Sequence, residues 1–321
     1  MCQPATSYLA TPDFMATTLH ILACMELPVI TFGGYCILFK TPDQMKPVKW
    51  HLLNLHFWTA MSDFTMCFLG IPYILLPGMA GWGLGAVYAP GFLFYVLVTL
   101  HATLGASIIA IYENRFYCLY GWTTRWSRYR RPCLTVLYSL VPFMFLPPYF
   151  NEPNQDFARQ QIQEVLPCLS PYTFDDRPMY VLTLDYKIPF LCILISGISL
   201  FLVAVTFFAL TIWRILVKTA PSKSHKTQNL QLKFALALLF QSLFIINVIF
   251  VPVCMGLATI ALWYHNQAFN NIIFIILSLH GIGSTIVMLL VHNPYREFTL
   301  SLLPFYRKRK PRKIRTASII L

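Results

Sequence analysis

Long uninterrupted apolar stretches separated by short polar connections dominate the chain. Seven can be drawn, at about residues 17–39, 51–76, 91–119, 132–150, 188–217, 230–262 and 269–292. Crossing a bilayer takes roughly 20 mostly apolar residues in a helix. Backbone polar groups in lipid must be satisfied internally, so such runs form helices or a closed barrel. These runs far exceed the ~10-residue strands of a barrel and lack its in/out alternation. The pattern predicts an all-α membrane protein: a seven-transmembrane-helix bundle over residues 1–292, followed by a separate segment, 293–321. The third, fifth and sixth spans are overlong and are expected to tilt or to project beyond the membrane. Past the seventh, Tyr295, Phe298, Leu302 and Phe305 recur at helical spacing. That stripe predicts a short amphipathic helix on the membrane surface, with Pro294 in its first turn.

Composition excludes a water-soluble alternative. Hydrophobic residues make up 57% of the chain and charged ones 11%, against roughly 25% charged in a soluble protein. A soluble fold of that kind would expose large apolar patches. The charges that remain are unevenly placed. Basic residues flanking membrane spans stay in the cytoplasm, and 21 of the 24 fall on the side of the 1–2, 3–4 and 5–6 connections and the tail. The expected orientation is therefore N-terminus outside and C-terminus cytoplasmic. Six acidic residues, Glu152 to Asp185, fall in the 4–5 loop on the other side. The net charge of +12 is thus a topology signal and does not point to nucleic acid. The first basic residue is Lys40, so the start of the chain does not read as a cleavable signal, and the first span reads as an uncleaved signal-anchor. The tail cluster Arg307-Lys308-Arg309-Lys310 is expected to hold anionic inner-leaflet lipids, each basic residue contributing about 1 kcal/mol; a trafficking signal is the alternative.

On this topology only Cys2 and Cys168 of the nine cysteines face the oxidising exterior, where disulfides persist. They are expected to pair across the mouth of the bundle; the alternative leaves Cys2 free near a frayed terminus. The intramembrane cysteines read as small packing residues. No Asn-x-Ser/Thr acceptor occurs.

Charges inside a membrane are costly and are functional candidates by default. Glu26 lies in span one and Asp63 near the middle of span two. Asp63 has three readings: binding a cation, pairing across helices, or sitting protonated in a polar network. Glu26 shares that ambiguity. Span three ends in Glu113-Asn114-Arg115-Phe116, an acid and an arginine two residues apart. Such a pair is expected to act as a latch that exchanges partners when helices shift; the plainer reading has Arg115 snorkelling at the inner boundary. Pro28, Pro72, Pro142, Pro189 and Pro252 lie in or at the edges of spans, where proline removes a donor and kinks a helix. Phe250 and Pro252 in span six pair such a kink with a bulky aromatic, the pattern of a hinge.

The order and spacing of several short segments carry a resemblance. Tyr8-Leu9-Ala10-Thr11-Pro12 opens it, followed by Gly34-Tyr35-Cys36-Ile37-Leu38-Phe39-Lys40-Thr41-Pro42 and Trp50-His51-Leu52-Leu53-Asn54-Leu55-His56. Glu113-Asn114-Arg115-Phe116, Leu166-Pro167-Cys168 and His280-Gly281 continue it, and Ser284 to Arg296 closes it with His292-Asn293-Pro294-Tyr295-Arg296. With these the chain resembles the nematode serpentine receptor class H chemoreceptors, a family of seven-helix G-protein-coupled receptors. The resemblance implies a chemosensory receptor in the plasma membrane of chemosensory neuron cilia. Its partners would be a small-molecule, odorant- or pheromone-like ligand and a heterotrimeric G protein. It also makes Glu113-Asn114-Arg115 similar to the acid-arginine-aromatic motif that ends helix three of rhodopsin-like receptors. This chain departs from that wider group in having no cysteine at the start of span three. Its membrane-exit motif Asn293-Pro294-Tyr295-Arg296 also lacks a two-residue spacer.

A ligand is expected in the outer half of the bundle beneath the 4–5 loop, with Phe92, Tyr95, Leu100, His101, Phe190 and Phe269 as candidate lining; helix packing or an interfacial belt is the plainer role for such aromatics. Enzymatic activity is not expected, because the eight histidines are dispersed without a metal-ligand pair on one helix face. No cofactor is expected: a retinal Schiff base would need a lysine in the last span, and residues 269–292 contain none. A channel or transporter is the second alternative, but no internal repeat is visible.

Overall fold

The computed structural model describes residues 7–165, 177–217 and 225–302. The first helix, α1 (Pro12–Phe39), starts five residues before the apolar run. Thr11 sets that start: its hydroxyl accepts the Phe14 N–H, and Pro12 occupies the first turn, where a missing donor costs nothing. Helix α2 (Lys46–Phe64) continues through wide π-type turns, Thr65–Gly70, and stops at Ile71, which adopts left-handed φ of 38°. Two short strands follow, β1 (Pro72–Leu75) and β2 (Ala80–Gly83), and then α3 (Pro90–Leu119). The fourth span is α4 (Trp126–Leu140), a 3-10 turn over Val141–Phe145 that contains Pro142, and α5 (Leu146–Phe150). Beyond it lie an amphipathic helix, α6 (Gln155–Val165), and a two-residue strand, β3 (Tyr180–Val181). Helices α7 (Lys187–Val217) and α8 (His225–Ala261) are the fifth and sixth spans. The seventh is α9 (Gln267–Ser278) and α10 (His280–Val291), with α11 (Asn293–Ser301) turning off its end.

Among the described residues, six helical stretches are long and apolar enough to cross a membrane. With the more polar α2 they make a seven-helix bundle. Helix α3 is its axis, and every residue from Ala106 to Asn114 is buried. The outer helices show the opposite profile: Leu191, Ile195, Ile198, Phe201 and Leu202 of α7 are all exposed. An apolar exterior of that extent suits a chain solvated by lipid.

Span two differs from its expected extent of 51–76. Residues 72–75 are not helical but pair antiparallel with 80–83, Tyr73 opposite Trp82 and Ile74 opposite Gly81, and β3 adds a third strand. Pro72 therefore opens a strand, where its missing N–H is tolerated, and does not kink a helix. A short apolar run reads alike as buried helix or buried strand, which is why Ile71–Leu76 extended the expected span. The seventh span also departs from expectation: its helix breaks at Leu279. Residues 1–6, 166–176, 218–224 and 303–321 lie outside the described part of the chain, and with them Cys2, Cys168, Phe305 and the basic tail.

Candidate functional site

The end of the bundle bearing Arg115 is built around the last turns of α3. Glu113 is fully buried. Its Oε1 accepts the Trp126 indole N–H at 2.7 Å and its Oε2 accepts from Arg130 Nη2 at 2.9 Å. Arg130 also donates to Asn114 Oδ1 at 3.2 Å and lies 3.9 Å from the Tyr117 ring centre. The amide of Asn114 donates in turn to the Pro47 carbonyl of α2. A buried carboxylate is tolerated only when paired and hydrogen-bonded, and here two residues of the first turns of α4 meet that need.

Arg115 is not Glu113's partner, which corrects the expected latch. Residues two apart on a helix point to nearly opposite sides, so Glu113 faces α4 while Arg115 faces α8. There the guanidinium lies 4.5 Å from the centre of the Phe234 ring. Its Nε donates to nothing among the described residues. Phe234 packs on His292 (5.7 Å between rings) and His292 on Tyr295 (5.7 Å). His292 Nε2 is 3.2 Å from Gln241 Oε1 of α8, and the Tyr295 hydroxyl is 2.8 Å from Thr41 Oγ1 at the end of α1. A continuous chain of contacts, Arg115–Phe234–His292–Tyr295–Thr41, thus ties α3, α8, the α10–α11 junction and α1 together. Within the membrane-exit motif, Tyr295 is fully buried, while Arg296 and Asn293 are exposed and bonded to each other at 2.6 Å. Phe298 of α11 packs on Phe32, and Leu302 is exposed.

A second polar cluster sits mid-bundle. Asp63 Oδ1 is 3.0 Å from His280 Nδ1, and the His280 ring lies 5.1 Å from that of His101. The break at Leu279 brings His280 there, and Gly281 lets the carboxylate rest against the backbone: a Cβ would overlap it. His280 Nδ1 also lies 2.9 Å from its own Leu277 O, so the approach of Asp63 and His280 is a proximity between the second and seventh spans. Glu26 is also buried, and its Oε1 has no hydrogen-bond partner among the described residues. No metal-binding group of His, Cys, Asp or Glu occurs among the described residues.

At the opposite end the mouth is covered by the β1–β2 hairpin. Ala80–Gly83 are all buried. Buried residues of the seventh span and its approach hold the hairpin by its carbonyls: His265 Nδ1 is 2.7 Å and Asn270 Nδ2 3.2 Å from Leu76 O, and Gln267 Nε2 donates to Ile74 O. Tyr73 donates to Ala10 O, and Trp82 to Arg177 O. Among the described residues this end is thus covered by the hairpin together with β3 of the 4–5 loop, and the hairpin was not expected there.

The six candidate pocket residues do not share one cavity. Phe92 is 52% exposed on the outer surface. The Tyr95 hydroxyl donates to Pro142 O, and its ring packs on Tyr149, so it joins α3 to the fourth span. His101 belongs to the Asp63 cluster; Leu100, Phe190 and Phe269 are half-buried packing residues. The hinge pair also separates: Pro252 is buried within an unbroken α8, but Phe250 is 61% exposed and does not pack inside the bundle. Sequence reasoning missed Trp126, Arg130 as the partner of Glu113, Phe234 and the hairpin. Only Arg130 carried any signal, as a charge beside a span.

Two comparisons bear on this arrangement. The family model described as serpentine type 7TM GPCR chemoreceptor Srh matches residues 10–305. The chain is also 27% identical over 308 residues to serpentine receptor class H-72 of Caenorhabditis elegans, covering 94% of this chain and 89% of that protein.

Proposed function

Because the chain belongs to the Srh family of serpentine seven-transmembrane chemoreceptors, we propose that it binds a small-molecule chemical signal and passes it to a heterotrimeric G protein. The charge asymmetry supports an orientation with the N-terminus and the hairpin outside and the Arg115 end in the cytosol. The ligand acts in the outer half of the bundle, beneath the hairpin. It binds one helix packing more tightly than another and so shifts their populations. In the signalling arrangement α8 moves away from α3, Phe234 leaves the face of Arg115, and the guanidinium is presented to the Gα subunit. Plasma membrane of chemosensory cilia is the location that fits this role.

The observation that carries the reading is the placement of Arg115. A cation held by an aromatic face, with no carboxylate paired to it among the described residues, is released at low cost, since a cation–π contact contributes about 0.5–2 kcal/mol. The test is a ligand screen in cells co-expressing candidate Gα subunits. Arg115→Ala, at normal surface expression, should abolish the ligand-evoked response; full signalling by that variant would remove Arg115 from the coupling role.

A further inference from the structure

The lipid-facing side of α1 carries a groove that the signalling reading does not use. Leu27, Pro28, Thr31, Phe32 and Tyr35 line it. Thr31 and Pro28 are the smallest of these side chains, and the Thr31 hydroxyl is satisfied within the helix, donating to Leu27 O at 2.7 Å. Leu27, Thr31 and Tyr35 are exposed, one helical turn apart. Toward the Arg115 end the groove runs into an aromatic cluster: Phe298 of α11 stacks on Phe32 at 6.2 Å and contacts Tyr35, which packs on Phe39.

Lys40 closes that end. Its Nζ lies 4.3 Å from the Phe298 ring centre and 5.5 Å from that of Tyr35, one of the groove's walls. Among the described residues it forms no ion pair: the nearby Asp43 is taken by Lys46 at 2.8 Å, and Lys49 donates to Leu38 O. From Leu27 to Lys40 the helix rises about 20 Å, and one leaflet of hydrocarbon is about 15 Å deep. The furrow itself, Leu27 to Tyr35, rises about 12 Å within that depth, and Lys40, five residues further on, carries an ammonium without an ion pair among the described residues, an apolar trough and a charge in the order a lipid presents them.

We infer that this groove is a discrete binding site for one anionic phospholipid, with an acyl chain along Leu27, Thr31 and Tyr35 and the headgroup phosphate on Lys40. It clips α11 to α1 through Phe298, and so supports the helix that carries Tyr295. The site depends on no ligand or G protein, so its test is independent of the receptor reading.

The experiment is native mass spectrometry of the full-length protein in detergent, titrated with phosphatidylserine or phosphatidylcholine of identical chains. The wild type should retain one phosphatidylserine in preference to phosphatidylcholine. Lys40→Gln should weaken that retention about fivefold, whereas Lys40→Arg should preserve it. Thr31→Phe, which fills the groove and leaves every charge in place, should abolish it. Equal retention of the two lipids by the wild type would overturn the proposal. So would unchanged phosphatidylserine binding in both Lys40→Gln and Thr31→Phe, which would assign the lipid to the basic tail.

Discussion

Glu113 takes its arginine from another helix: Arg130 Nη2 stands 2.9 Å from its Oε2, while Arg115, two residues along α3, rests on Phe234. Each α3 residue thus answers to a different neighbour. Glu113 binds α3 to α4 through a hydrogen-bonded ion pair, Arg130 keeping 17% of its side-chain surface exposed. Arg115 binds α3 to α8 through a weaker, separable contact. The strong tie is suited to a fixed joint and the weak one to a joint that opens.

Replacing Glu113 tests the fixed joint. Glu113→Gln keeps an acceptor for the Trp126 indole but loses the charge, and Glu113→Ala loses both bonds. Hydrogen bonds to charged groups contribute about 1.5–3 kcal/mol. Thermal unfolding in detergent should therefore rank wild type above Glu113→Gln and Glu113→Ala lowest. Because Arg130 and Glu113 act on each other, the double variant Glu113→Ala/Arg130→Ala should cost less than the sum of the two singles.

The opening joint responds to Phe234. Phe234→Leu keeps bulk but removes the face over Arg115, and also the ring contact with His292. Loss of about 1 kcal/mol from the closed arrangement raises the open population roughly fivefold. Ligand-free signalling through a coupled Gα subunit should rise by that order, and Phe234→Trp should hold it at the wild-type level. An unchanged basal signal in Phe234→Leu would break the link between this contact and activation.

Gly281 and Asp63 form a steric pair. A methyl group on residue 281 would overlap the Asp63 carboxylate, and overpacking of this kind costs about 1–3 kcal/mol. Gly281→Ala should lower the unfolding temperature, and Gly281→Ala/Asp63→Ala should recover part of the loss, because the shortened residue vacates the space. No recovery in the double variant would show that the carboxylate does not pack there.

Two further glycines separate packing from composition. A Cβ on Gly81 would meet the backbone of β1 at Tyr73 and Ile74, which cannot yield without parting the strands, whereas one on Gly197 of α7 meets nothing. Gly81→Ala should reduce surface expression and stability; Gly197→Ala should leave both at or slightly above wild type, since alanine favours the helix.

Much of the architecture was legible in one dimension. Span length is set by bilayer thickness, and helicity by the need to satisfy the backbone in lipid, so seven runs announce seven helices without any knowledge of their neighbours. Cap chemistry is equally local, with Thr11 before Pro12 and Asn266 accepting the Phe269 N–H, but the apolar pattern does not register it, and α1 starts five residues before its expected bound. The hairpin was not legible, because Ile71–Leu76 carries no period that separates a buried strand from a helix. Nor was the break at Leu279, which leaves the apolar run unbroken.

The sequence by itself determined the class of the protein, the number of its spans and the identity of its rare intramembrane acidic residues, Glu26, Asp63 and Glu113. All three follow from the cost of polar groups in hydrocarbon, a property of each residue alone. Only the tertiary structure decided what each of those groups meets. Glu113 found Arg130 across a connection, Asp63 came to lie 3.0 Å from His280, 217 positions away, and Arg115 found an aromatic ring in place of an acid. Partnership depends on which helix faces are brought together, and that is settled by the packing of seven helices at once.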